Sequence, residues 1–292
     1  MPQFSIIVII YNPKSTGPSK RNATALHRYL QRHLVDQAIE LWETKYPGHA
    51  EELAKNAAQK YAQPLIVSSS GDGGYNEVIN GVLASKNTHA TCAVLPSGNA
   101  NDHARTLHKA PLKKLIVAHD ASQIDLFEVT MSHNTRSHIR YAHSYVGMGL
   151  TPEIASELNN NSLTPTKEMW IALKTFWNYN PEPIAQHGRT SIQSFLCGNI
   201  PQFAKRLTIH KAAKPNDGSF ELWLMTKASK AEMAREIAKA AFSRLETPQP
   251  QKQFSITALK DSPIQLDGEV LDLKAGTKVH IRLKHRALNT FI

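Results

Sequence analysis

Cysteine is scarce in this chain. Of its 292 residues only Cys92 and Cys197 are cysteines, and they form no CxxC pair. A disulfide framework and a cysteine-rich zinc site are thereby excluded, and a reducing cytosol is the simpler expectation. Long apolar runs are missing as well. The longest near the N-terminus is Ile6 to Ile10, too short for a signal-peptide core and without a basic segment before it. Nothing approaches the ~20 apolar residues that span a bilayer, so any membrane contact is expected to be peripheral. Basic residues are scattered, and Arg/aromatic interleaving of an RNA-binding type is absent, so no nucleic-acid partner is expected. The histidines show no metal spacing such as HExxH, and no internal repeat is present.

What is there reads as a globular chain. Hydrophobic residues make up 41% and charged residues 20%, enough for one large or two moderate domains with real cores. The formal net charge is +10. Such a balance favours an anionic partner, a nucleotide, a nucleic acid or an acidic membrane surface, although a solvated basic surface would give the same count.

The first part of the chain alternates strand and helix. Strands are expected at Phe4–Tyr11, Ala38–Thr44, Leu65–Ser69 and Ala90–Leu95. Helices are expected after Gly17 (with Leu26, Leu30 and Leu34 on one face), over His49–Tyr61, after the glycine turn to about Lys86, over Asn101–Leu107 and around Leu112–Ala118. This alternation predicts a doubly wound parallel sheet, whose ligands sit at the carboxyl ends of the strands. From Ile124 the texture changes to short strands separated by Asn, Pro, Asp or Gly: Ile124–Met131, Arg140–Gly147, Thr190–Cys197, Phe220–Met225, Phe254–Leu259, Ile264–Leu271 and Lys278–Leu283. That half is expected to be an antiparallel β-sandwich. Two helices, Thr166–Trp177 and Ser229–Leu245, interrupt it. Trp170, Leu173, Phe176 and Trp177 on the first read as packing residues, with a lipid-facing lid as the alternative. Asn159–Asn161, Pro181–Pro183 and Thr247–Lys252 read as loops. The expected domains are therefore 1–124, α/β, and 125–292, β-rich, with the last strand a candidate to return to the first.

Four motifs carry chemistry. After strand one comes Asn12-Pro13-Lys14-Ser15-Thr16-Gly17. After strand three comes Ser70-Gly71-Asp72-Gly73-Gly74-Tyr75-Asn76-Glu77, where three glycines leave backbone N–H groups open to a phosphate. An aspartate in such a turn repels a bare phosphate, so Mg²⁺ or a hydroxyl is expected beside it. After strand four comes Pro96-Ser97-Gly98-Asn99-Ala100-Asn101-Asp102-His103. In the β-rich half stand Asn216-Asp217-Gly218 and Asp267-Gly268-Glu269. Each alone is equally an ordinary turn.

In this order and spacing the motifs resemble the diacylglycerol kinase catalytic family, especially the small bacterial YegS-like lipid kinases, whose fold is like that of NAD kinases. The resemblance runs from Asn12 to about Leu271. It implies an ATP-dependent lipid kinase with ATP and Mg²⁺ as cofactors. The implied nucleotide-binding residues are Asn12, Lys14, Thr44, Ser70, Gly71, Asp72, Gly73, Gly74, Asn76, Glu77, Gly98, Asn99 and Asn101. Asp72 and Asp102 would hold a catalytic Mg²⁺. Lys214, Asp217 and Ser219 would hold a structural one, with a plain turn as the alternative. Glu269 would accept the substrate hydroxyl proton, with Asp72 as the rival base. Asp125 matches an aspartate of the family with a structural or a catalytic role. Lys20 and Arg21 would meet phosphate or an anionic head group, or simply solvent.

The chain departs from the family pattern at four places. Ser70 stands for the first glycine of Gly-Gly-Asp-Gly-Thr, as in sphingosine kinases, and Gly74 for its threonine. Asn99 stands for the threonine of Pro-x-Gly-Thr-x-Asn-Asp-Phe, and His103 for the aromatic. Two hydroxyls that would meet nucleotide phosphate are thus absent. Three functions are carried forward. The first is a kinase acting on diacylglycerol, a sphingoid base or phosphatidylglycerol, cytoplasmic and peripheral to the inner face of the membrane, with a homodimer left open. The second is an NAD kinase. The third is a nucleotide- or lipid-binding homologue with impaired catalysis.

Overall fold

Ile6-Ile7-Val8-Ile9-Ile10 shows no polar alternation, the mark of a strand covered on both faces. In the computed structural model it forms β1 (Ile6–Tyr11), and all five residues are buried. Residues 4–15, 17–149, 184–186, 189–203, 207–208, 210, 213–226, 232, 235 and 250–292 are described. The expected helices over 166–177 and 229–245 (apart from residues 232 and 235), the loops at 159–161 and 181–183, and Thr16 lie outside them. The chain divides into two units, Met1–Leu126 with His285–Ile292, and Phe127–Lys284.

In the first unit β1 pairs in parallel with β2 (Ile39–Glu43) on one side and β3 (Pro64–Ser70) on the other, and β3 pairs with β4 (Thr91–Pro96). Even and odd residues of β1 serve different cores. Ile7 and Ile9 pack with Ala23, Leu26 and Leu30 of α1 (Ser19–His33) and with Leu112, Leu115 and Ile116 of α5 (Leu112–Ala118). Ile6, Val8 and Ile10 pack with the Ala50, Ala54 and Ala57 face of α2 (His49–Lys60) and with Val78, Ile79 and Val82 of α3 (Asp72–Ser85). The strand period of two is what divides one apolar run between two layers. Each such buried side chain contributes roughly 1.5–3 kcal/mol. The short helix α4 (Asp102–Leu107) adds Ala104 to the second layer.

Among the described residues the strand pairs whose register is resolved within the second unit are antiparallel. Its strands are β5 (Ala121–His133, entered from the first unit), β6 (Arg136–Ala142), β7 (Tyr145–Met148), β8 (Ile184–Gln186), β9 (Arg189–Gly198), the small pair β10 (Gln202–Phe203) and β11 (Leu207–Thr208), β12 (Phe220–Thr226), β13 (Pro250–Gln251), β14 (Gln253–Ala258), β15 (Ser262–Leu266), β16 (Glu269–Leu273) and β17 (Lys278–Phe291). The main path is β16-β15-β7-β9-β8-β14-β17. One core runs through it, from Phe127 and Val146 to Phe195, Phe254 and Ile281. β17 then returns to the first unit, where Asn289 pairs with Thr91 of β4 in parallel.

Three expectations are corrected here. The run Ile264–Leu271 is two strands, joined at Asp267-Gly268, where φ is 49° and 96°, the left-handed pair of a two-residue hairpin. The run Arg140–Gly147 is also two strands, β6 and β7, broken at His143-Ser144. Both corrections have one cause. The fully buried Asp267 carboxylate accepts the backbone N–H groups of His143 (2.6 Å), Ser144 (2.8 Å) and Tyr145 (2.9 Å), so a side chain replaces strand pairing there. Finally, Pro250–Gln251, read as part of a loop, pairs with β12.

Ser144 Oγ lies 2.7 Å from His143 Nδ1, and His143 Nε2 lies 3.4 Å from Asp267 Oδ2. The order of groups is that of a nucleophile relay, but all three are fully buried, so the trio is a structural staple. Asp267→Ala is expected to lower the stability of the protein by on the order of 3 kcal/mol or more, since each stranded buried donor counts for about 1–3 kcal/mol. Urea unfolding measures it, and an unchanged midpoint would remove Asp267 from this role. Burial pushes both cysteine thiols well above their ordinary pKa, so neither is expected to react with an alkylating reagent at neutral pH until the protein is unfolded.

Candidate functional site

The glycine turn is mostly helix. β3 ends at Ser70, Gly71 is the N-cap in extended conformation, and α3 begins at Asp72. Gly73 and Gly74 are therefore first-turn residues. Their N–H groups belong to the set that no helix can satisfy internally, and no side chain beyond Cα covers them. Tyr75, one position on, donates to Gly71 O at 3.1 Å.

This helix start is tied to the β4–α4 loop. Asp72 is buried, and its two carboxylate oxygens accept the N–H groups of Asp102 (2.9 Å) and His103 (3.0 Å). Ser97 N–H donates to Ser70 O at 2.9 Å. The loops then meet backbone to backbone: a Cβ on Gly98 would lie 2.5 Å from Gly71 Cα, which only glycine permits. Within its own loop, Asn101 (φ 50°) accepts Gly98 N–H at 2.9 Å and donates to Gly98 O at 2.8 Å. The β1–α1 turn joins through buried hydroxyls. Ser69 Oγ donates to Ser19 O at 2.8 Å and lies 3.1 Å from Ser97 Oγ, while Asn12 N–H donates to Ser19 Oγ at 3.1 Å. The three turns that follow β1, β3 and β4 are thus brought together at the carboxyl ends of parallel strands. The motif reading missed Ser19, Ser69 and Ser97; the signal was an excess of small hydroxyl residues at strand ends and at a helix start.

The remaining residues fall as follows. Asn12 and Lys14 are exposed, with Lys14 N–H donating to Asn12 Oδ1 at 2.9 Å. Thr44, just past β2, is half-buried and donates its N–H to Tyr11 O. Gly98 and Asn99 are exposed and Glu77 is half-buried. Asn76 is fully buried, its Oδ1 accepting from Asn80 Nδ2 at 2.9 Å. Asp102 is also fully buried and is paired with Arg105. His103 serves as the aromatic it replaces, its ring 5.3 Å from that of Tyr75. Asp125 is buried and accepts the N–H of Arg286 at 2.6 Å and lies 2.8 Å from His285 Nδ1; it anchors the returning strand.

In the second unit Glu269 opens β16, and its Oε2 lies 3.2 Å from Arg140 Nη2. In the loop of Lys214, Asp217 and Ser219, Asp217 Oδ1 accepts both Ser219 N–H (3.0 Å) and Ser219 Oγ–H (2.9 Å), the bonding of a local turn. Among the described residues no group of three or more His, Cys, Asp or Glu side chains could hold a metal ion.

Residues 6–129 match the family model described as diacylglycerol kinase catalytic domain. Over this segment the chain is similar to that family. The matched segment holds all three converging turns. Over nearly its whole length the chain is similar to the diacylglycerol kinase of Bacillus subtilis, 29% identical across 94% of this chain and 92% of that protein. It is also similar to that of Staphylococcus saprophyticus, 26% identical across 89% and 88%. The fold matches a crystal structure of a Bacillus anthracis diacylglycerol kinase with a TM-score of 0.72 at 20% identity, covering 99% of this chain and 97% of that one. It also matches, more distantly, yeast NADH kinase, with a TM-score of 0.52 at 10% identity, covering 99% and 83%.

The departure at position 74 has a steric reason within this segment. A Cβ on Gly74 would lie 2.7 Å from both Cβ and Oγ of Ser70. Ser70 Cβ is fixed by the strand backbone, so it cannot swing aside. Gly74→Ala alone is expected to destabilise, because overpacking of roughly 1–3 kcal/mol outweighs a helix-propensity gain of at most about 1 kcal/mol. Adding Ser70→Gly is expected to recover most of that loss. Thermal unfolding of the single and double variants checks it; a Gly74→Ala protein as stable as its parent would contradict the packing.

Proposed function

We propose that this chain is an ATP-dependent kinase that transfers the γ-phosphate of ATP to a hydroxyl of a lipid, diacylglycerol-like, sphingoid or phosphatidylglycerol, at a membrane surface. One observation carries the reading: Asp72 ties the first turn of α3 to the β4–α4 loop, so the open N–H groups of Gly73 and Gly74 stand beside the buried carboxylates of Asp72 and Asp102, in a segment that matches the diacylglycerol kinase catalytic model. Phosphoryl transfer asks for such a set: a phosphate cradle, a cation and a proton acceptor.

In this reading Gly73 and Gly74 offer N–H groups to the phosphates, with Asn12, Lys14, Thr44, Ser70, Gly71, Glu77, Gly98, Asn99 and Asn101 around them. The donor set fits a hard cation, because Asp72 and Asp102 are neighbouring oxygen donors whose oxygens keep further lone pairs. With no third acidic side chain grouped there, Mg²⁺ would complete its shell with phosphate oxygens and water, as it prefers. Bound so, it supplies charge neutralisation on the transferring phosphoryl group. Asp217 with the carbonyls of Lys214 and Ser219 is the proposed place for a structural ion. Glu269 is the proposed acceptor of the hydroxyl proton, oriented by Arg140, and Asp72 remains the rival. Among the described residues no helix is long and apolar enough to cross a membrane, and the proposed encounter with lipid is peripheral, from the cytoplasmic side.

The test is incubation with labelled ATP, Mg²⁺ and a panel of lipids plus NAD, with the products resolved. A labelled lipid is expected, and it is expected to fall by about a hundredfold or more in Glu269→Gln, the scale of a lost general base, with nucleotide binding retained. Asp72→Asn is expected to abolish turnover in a folded protein. Labelled NADP would replace the proposal with an NAD kinase. ATP binding without transfer to any acceptor would replace it with a binding homologue.

A further inference from the structure

A cleft of about 1150 Å³ opens within the first unit, walled by α1, the β4–α4 loop, α4 and the start of α5. Arg28, Arg32, Arg105 and Lys113 line it, and no described Asp or Glu does. Arg105 is neutralised by Asp102. Arg28 and Arg32 are exposed, stand one turn apart on α1, and have no hydrogen-bond or ion-pair partner among the described residues.

Like charges at that spacing destabilise a helix, and no acid on α1 offsets them, although the helix C-terminus favours Arg32 in its last turn. Its fifteen residues carry Lys20, Arg21, Arg28 and Arg32 and no acid at all. Lys113 is held over the ring of Tyr29, its Nζ 4.9 Å from the centroid, which sets a third cation beside the two arginines. On the wall, His108 Nε2 is buried without a hydrogen-bond partner. Burial keeps that ring neutral, its pKa lowered to about 4, so it adds a hydrogen-bonding atom and no charge. The cleft combines unspent guanidinium donors, concavity and one sign of charge, and such a combination focuses field on an anion.

We propose that this cleft binds a phosphate group through Arg28, Arg32 and Lys113; its lining shares Asn99 and Asn101 with the proposed nucleotide set and does not include the glycine turn 70–77. Guanidinium forks match phosphate oxygens in pairs, and the ammonium adds a point charge. The phosphate belongs to a soluble phosphate compound or to the head group of an acidic phospholipid. The chemistry is shared, and the experiment separates the two.

The full-length protein and its R28S/R32S variant are titrated calorimetrically with inorganic pyrophosphate, and both are sedimented with vesicles of phosphatidylcholine with or without phosphatidylglycerol. The substituted side chains are exposed, so the variant is expected to melt with its parent; K113S gives a second, independent removal of charge. Pyrophosphate affinity is expected to fall by about tenfold or more in R28S/R32S, as for loss of charge-assisted phosphate contacts. A fall for pyrophosphate alone assigns the cleft to a soluble phosphate. A fall in sedimentation with phosphatidylglycerol vesicles assigns it to the head group. An unchanged isotherm together with unchanged sedimentation, or a parent protein that binds neither probe, overturns the proposal.

Discussion

The carboxylate of Asp72 is the constraint on which the candidate site depends. It begins α3, yet its oxygens are spent on the N–H groups that begin α4. An aspartate at a helix start is favoured by the helix dipole. Here one side chain serves two helix starts, its own through the backbone and its neighbour's through hydrogen bonds. Gly71 and Gly98 follow from it, because the two loops can share that carboxylate only if their backbones touch. A larger residue at Gly98 would push the loops apart and strain both hydrogen bonds to that carboxylate, while one at Gly71 would meet Gly98 Cα at 3.2 Å. The same geometry sets what the carboxylate can do chemically, since a group that already accepts two N–H bonds is held in one orientation.

The second unit repeats this device at a different scale. Asp267 takes three successive backbone N–H groups and so decides where β6 ends and β7 begins. In both units a buried acid replaces strand or helix bonding at a break in the chain. These acids sit inside the motifs that drew attention in the sequence, Gly-Asp-Gly and Asp-Gly-Glu. Part of what makes those motifs recognisable is therefore architecture, with the chemistry built on top of it.

This explains what was legible in the sequence and what was not. β1 to β4 and their helices were legible because apolar runs and helical spacing are local signals, and α5 falls on the expected residues Leu112–Ala118. The hairpin at Asp267-Gly268 and the break at His143-Ser144 were read as continuous strands. The apolar pattern does continue through them, and the bond that interrupts it joins residues more than a hundred positions apart. The hydroxyl network of Ser19, Ser69 and Ser97 was missed for a like reason. Single serines at element ends carry no periodicity, and their partners are set by tertiary packing alone.

The absence of a side chain at position 74 takes its meaning from Ser70. Read along the sequence, Gly74 is a missing hydroxyl. Read in space, the volume that a Cβ at 74 would need is already filled by the side chain of Ser70, whose Oγ lies 2.7 Å from Ser68 Oγ and donates to Gly71 O. The two positions form one steric unit, in which a side chain on the strand end excludes one on the first helical turn. The turn thus carries its hydroxyl on the strand end, at Ser70, and none on the first helical turn at Gly74. A change at either position must therefore be judged with its partner, because neither residue alone determines how much room the turn gives to a phosphate.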